Sequence, residues 1–200
     1  MNRRVLDVSG LPTKAFGPRD TMWWAVMLLI AIESTMLALL AVTYFYIRSR
    51  TTPFPPVAVP HAAAWLATVE LAVWLVSAVP TYAAGRAAVA GDLPRMRRQL
   101  ILGTALGVIA AVLRWYEIHL LPMRWDSHAY GSVVWALLGL QWVHALTGIG
   151  ENLLYIVLLY VGPVEDKHRV DVEVSTPLWY FVIAGAALAW AVVFLEVLVS

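Results

Sequence analysis

The sequence predicts an all-α protein, an integral membrane bundle of five transmembrane helices. Three observations predict it. Of 200 residues, 61% are apolar, about 122 side chains, and the mean hydropathy is +0.73. Only 14% are charged, where a soluble domain carries roughly a quarter. The 14 basic and 13 acidic residues are also segregated, 21 of the 27 falling between long apolar runs and six inside them. That partition is what a hydrocarbon solvent imposes. A net charge of +1 offers no concentrated basic surface for nucleic acid. With no cysteine, disulfides, thiolate metal sites and covalent haem attachment are excluded.

The apolar runs place spans at residues 22–47, 62–84, 99–121, 131–161 and 177–199, in a single membrane domain over 1–200. Each must be helical, because an open strand edge in lipid leaves backbone groups unpaired at several kcal/mol each. Residues 1–21 form a polar segment with Arg3, Arg4, Lys14 and Arg19, unlike the short apolar core of a signal peptide, so the first span reads as an uncleaved membrane helix. Trp23, Trp24 and Tyr46 anchor its two ends, and most other aromatics read as interfacial anchors as well. It gives way to the turn Thr51-Thr52-Pro53-Phe54-Pro55-Pro56. The second span stops short of Arg86, and Gly91-Asp92-Leu93-Pro94 turns the chain toward the third, which begins beyond Arg95, Arg97 and Arg98. The fourth runs from Gly131 to Gly162-Pro163, followed by an acidic-basic connecting stretch from Glu165 to Glu173, and the fifth opens at Pro177. Ten Lys and Arg lie on the N-terminal side and three (Arg48, Arg50 and Arg124) on the other, which predicts a cytoplasmic N-terminus and an outside C-terminus in a cell membrane.

Six ionisable groups inside spans are the informative feature: Glu33, Glu70, Arg114, Glu117, Glu151 and Glu196, with His144 beside them. Helical rise puts Glu33 roughly 17 Å from the N-terminal side, and Glu70 and Arg114 roughly 12 and 10 Å from the opposite one. Glu33, Glu70 and Arg114 are thus expected to share a layer. An unpaired charge there costs about 2.5 to 3.5 kcal/mol or more, so Arg114 is expected to face Glu33 or Glu70, or to pair with Glu117 three residues on. Two accounts fit such a layer, a structural ion pair and proton handling. Glu196 is expected near the outer interface. The fourth span carries Gln141, His144, Gly148, Glu151 and Tyr155 in steps of three and four, on one helix face, with Gly148 expected to let a neighbouring backbone approach. His119 and His144 are too far apart in depth to clamp one haem, and His61, His119 and His128 show no metal-ligand spacing. No nucleophile elbow or phosphate loop is present, so no catalytic residue and no metal site is predicted.

Four stretches resemble subunit III of the haem-copper oxidases, the cytochrome c and quinol oxidase family. The first span reads Met27-Leu28-Leu29-Ile30-Ala31-Ile32-Glu33-Ser34-Thr35-Met36 and ends in Tyr44-Phe45-Tyr46 ahead of an Arg. The third has Leu106-Gly107, then Arg114 and Glu117 at the offsets where the family has Gln and Glu. Tyr130-Gly131-Ser132 opens the fourth, in which Gly139, His144 and Gly148 keep the family's spacing. The chain departs from the family at Gln141 and at Ala83-Ala84, where His is usual, and at Trp179-Tyr180-Phe181-Val182-Ile183, where a His and an Asp are expected. It is similar to a divergent five-helix form.

The resemblance implies an accessory subunit that holds no haem or copper itself, those cofactors belonging to partner subunits of a respiratory oxidase. It would pack on the catalytic subunit I, among other oxidase subunits, bind phospholipid in a cleft, support proton uptake and protect the enzyme during oxygen reduction. Glu33, Glu117 and His144 match residues lining the family's interior, while Tyr130, Gly131, Ser132, Gly139, Gly148 and Glu151 are candidates for interface and lipid contact. Two alternatives stand beside it. One is a small proton- or cation-coupled transporter using Glu33, Glu70 and Glu151, and the other is the related subunit of a nitric oxide reductase.

Overall fold

The computed structural model describes residues 21–161 and 166–199. Its helices are α1 (Thr21–Arg50), α2 (His61–Ala90), α3 (Leu93–His119), α4 (Ala129–Val161), α5 (Asp166–Val193) and the short α6 (Leu195–Val199). The first five are each long and apolar enough to cross a membrane, making this an all-α, multi-pass membrane bundle. Residues 1–20 and the turn at Gly162-Pro163 lie outside the described residues. The side on which α1 begins is called the near face below, and the side on which it ends the far face.

The helices overrun the apolar spans. α2 continues six residues past 84 and α3 begins six before 99, leaving only Gly91 and Asp92 between them. A run of apolar residues ends at the first arginine, but the backbone ladder does not, since a long Arg side chain carries its charge out to water. Gly91 closes α2 at φ 72°, a left-handed conformation that glycine adopts without strain. Asp92 opens α3 by accepting the Arg95 backbone N–H at 3.1 Å. α5 differs more. It begins at Asp166, so the stretch expected to connect the fourth and fifth spans is helical from there, and Pro177 lies inside the helix instead of opening it. The proline removes one backbone donor, while the Ser175 and Thr176 hydroxyls both donate to the Val172 carbonyl in the turn ahead of it. The last span is interrupted at Phe194, where α5 stops and α6 follows.

α2 packs against α3 and α5, α3 against α4, and α4 against α5. α1 packs its length on α4 and α5. Buried Ala63, Ala64 and Ala67 line the far end of α2, where small side chains let helices approach closely. Three apolar clusters fill the bundle in depth. Tyr44, Tyr130 and Phe194 belong to the one at the far face, Trp74, Ala110 and Trp179 to the middle one, and Met96, Leu100 and Leu159 to the one at the near face. The Arg97 guanidinium ties α3 to the near end of α4, donating to the Leu159 carbonyl and lying 4.6 Å over the Tyr160 ring. On α1 only Leu37, Ala41 and Tyr44 are buried, and Leu28, Ile32, Leu39 and Val42 face outward.

Candidate functional site

The most enclosed polar group lies between α2 and α3. Arg114 Nη2 donates to Glu70 Oε2 at 2.8 Å, and its Nη1 donates to Glu117 Oε1 at 2.5 Å. Trp74 Nε1–H donates to the other oxygen of Glu70 at 2.6 Å. All three charged side chains are at most 1% exposed. Of the three acids expected as its partners, Arg114 thus meets Glu70 and Glu117 but not Glu33. Thr104, also buried, turns its hydroxyl onto the Leu100 carbonyl and stays outside this network.

Glu33 is elsewhere, and the expected three-helix layer with Glu70 and Arg114 does not form. Its Oε2 lies 3.0 Å from His144 Nε2, an imidazole N–H donating to a carboxylate between α1 and α4. Depths counted from one common face show the difference. With α1 running to Arg50, Glu33 stands seventeen residues from the far end of its helix, about 25 Å. His144 stands fifteen residues into α4, about 22 Å. Glu70 is nine residues into α2 and Arg114 five from the end of α3, about 14 and 8 Å from the same face. The His144 ring also packs edge-on against Phe181 of α5, at 5.1 Å between centroids.

The polar face of α4 turns inward. Gln141 is buried, with neither amide atom hydrogen-bonded among the described residues, and Glu151 accepts from the Tyr155 hydroxyl at 2.7 Å. Gly148 is not the point of close approach expected of it. A Cβ there would sit 3.6 Å from the Trp179 ring, ordinary contact, with side chains as its nearest neighbours instead of a backbone. Gly107 is the tight position, where a Cβ would come within 2.5 Å of the same ring. A Cβ at Gly139 would meet nothing within 4 Å among the described residues, so no close helix approach is seen there. Tyr130-Gly131-Ser132 builds the far-face corner. The Tyr130 ring packs with Tyr44 and Phe54, Gly131 leaves no room for a Cβ beside the Arg124 carbonyl at 2.6 Å, and the Ser132 hydroxyl donates to the Trp125 carbonyl at 2.7 Å. The His128 imidazole Nδ1 accepts the Gly131 N–H at 2.8 Å.

Trp74 and Trp179 are the residues that a belt of interfacial aromatics fails to anticipate. Both are buried in mid-bundle, with centroids 5.5 Å apart, and Trp179 Nε1–H donates to Ser77 Oγ at 3.0 Å. Trp74 leads from there to Glu70, so a hydrogen-bonded aromatic pair adjoins the buried charges. The side chain of Glu196 lies outside the described residues.

No protein-family model matches the chain, and no curated protein matches it. Its chemistry is therefore read from the geometry. No group of three or more His, Asp or Glu that could hold a metal ion is present among the described residues. Of the hollows large enough for part of a lipid or a partner side chain, two lie between the middle of the bundle and its far face. One, of about 510 Å³, opens at the far face between Tyr44, Phe54, His61, Tyr130 and Val193. The other, of about 280 Å³ and almost wholly apolar, runs along α3 and α4 between Val112, Trp115, Trp142 and Leu146.

Proposed function

We propose that this chain is the accessory subunit III of a terminal haem-copper oxidase, in a divergent five-helix form, with haem and copper held by partner subunits. The observation that carries the reading is the Glu33–His144 hydrogen bond. Two positions 111 residues apart, each matching an interior residue of that family by motif, meet inside the bundle at 3.0 Å. The outward apolar side of α1, with so little of the helix buried in the chain itself, suits a subunit packed on the catalytic subunit I. The apolar hollow along α3 and α4 suits a phospholipid acyl chain. The ten-to-three bias of Lys and Arg supports a near face in the cytoplasm and a far face outside, in a cell membrane.

Purification in mild detergent tests the reading. The chain is expected to travel with a larger haem-bearing partner whose spectrum shows an oxidase, and a spectrum of a nitric oxide reductase would move the subunit to that enzyme. A stable particle free of any haem protein would end both. The transporter alternative loses support from the geometry, because Glu33, Glu70 and Glu151 bond to His144, Arg114 and Tyr155 in three separate places.

A further inference from the structure

Two carboxyls and one guanidinium meet in the interior between α2 and α3, and their formal charges do not cancel. We infer that the Glu70–Arg114–Glu117 cluster is a proton-binding site that holds one proton at neutral pH, carried by Glu117. This goes beyond the oxidase reading and does not depend on it. With both acids ionised the cluster would carry a net charge of −1, and no side chain among the described residues compensates it. Arg114 and Glu70 are the charged groups acting on Glu117, one from its own helix and one from α2, and α4, the other helix packed on α3, contributes none. A charge that is both buried and uncompensated is the costliest state for a carboxylate, which takes up a proton instead.

Hydrogen bonding decides which acid holds it. Glu70 has a donor on each oxygen, Trp74 on one and Arg114 on the other, and an ionised carboxylate accepts on both. Glu117 receives Arg114 on Oε1, while its buried Oε2 has no hydrogen-bond partner among the described residues. An unpartnered oxygen costs less on a neutral carboxyl than on an anion.

The test counts protons by the carboxylic-acid carbonyl band in the infrared spectrum, recorded on the detergent-solubilised protein with its co-purifying chains, in H2O and D2O. Relative to the parent, Glu117→Gln should lose one carboxyl's worth of the isotope-sensitive band. Glu70→Gln should lose the same amount although Glu117 is intact, because Arg114 then faces a single acid and ionises it. Arg114→Gln should gain one carboxyl's worth, since both acids must then be neutral. Retention of the parent band in Glu117→Gln or in Glu70→Gln would overturn the proposal. Thermal midpoints test the assignment. Glu117→Gln, an isostere of the neutral acid, should stay near the parent, and Glu70→Gln should fall below it. The reverse order would place the proton on Glu70 and overturn the assignment to Glu117.

Discussion

At the scale of single residues, the bundle is registered by tryptophan set against glycine. The Trp179 ring is fixed on three sides, by the hydrogen bond to Ser77, by the Trp74 ring and by the bare backbone of Gly107. Such a ring cannot swing aside as the end of a flexible chain can. Gly107→Ala is therefore expected to destabilise the protein by about 1 to 3 kcal/mol, the usual cost of overpacking a filled core. Gly148→Ala, meeting the other side of the same ring at 3.6 Å, should change stability by less than about 0.5 kcal/mol. Thermal unfolding in detergent compares the two, and equal midpoints would mean that Gly107 is not wedged by Trp179. Sequence spacing singled out Gly148 because it shares a face with His144 and Glu151. It marked Gly107 only as part of the Leu106-Gly107 motif, because the tightness there comes from a ring on another helix, 72 residues later in the chain.

Among the five long helices, α1 is the one with least to hold it. It packs on α4 and α5 through Leu37, Ala41 and Tyr44, and Glu33 ties it to His144 through a partly buried hydrogen bond. Replacing His144 by Leu would leave a carboxyl without that partner at depth, a cost of about 2.5 to 3.5 kcal/mol on insertion scales. A helix with so few other contacts should relieve that cost by tilting away. The chain has no cysteine, so spin labels can be placed singly at Thr21→Cys and Val161→Cys, both exposed at the near face. The distance distribution between them is expected to be narrow in the parent and distinctly broader with His144→Leu. An unchanged width would show that the pair does not hold α1 in place. The number of helices and their order were legible from the apolar runs, because hydrocarbon tolerates nothing else over such lengths. Their ends were not. A helix continues as long as its backbone is bonded, and Arg86, Arg95 and the start of α5 continue it beyond the last apolar side chain. Glu33 is misplaced for another reason: its depth is reckoned from one face and those of Glu70 and Arg114 from the other, and α1, 30 residues long, is longer than the layer such a comparison assumes.

Over the whole molecule, the described ionisable groups inside the apolar spans meet their partners in three separate places, and the one between α2 and α3 sets the electrical balance of the interior. Part of this was legible, since Arg114 had to find an acid and Glu117 lies one helical turn away. The contribution of Glu70 from α2, and the count of two acids to one base, needed the fold. Arg114→Gln removes the only cation of that group and leaves Glu70 and Glu117 together out of water. Breaking a buried pair by taking one partner typically costs 3 to 5 kcal/mol, and a loss of about 3 kcal/mol is expected here. Adding Glu70→Gln should recover much of it, because one acid then remains and can stay neutral, as the parent arrangement allows. The two-acid variant also has a definite pH dependence. Its folded state must bind two protons on carboxyls that the unfolded chain leaves ionised at neutral pH, one more than the parent. Stability rises with pH where the unfolded chain binds more protons, and here the folded state binds more, so stability falls as pH rises. The deficit of Arg114→Gln against the parent should therefore shrink as pH is lowered from neutral toward the ordinary carboxylate range, and widen above neutral. Thermal midpoints of the parent, the single and the double variant across that range would show it. A deficit that does not vary with pH would mean that the two acids remain ionised without their arginine, and that their burial is less complete than the packing of α2 on α3 requires.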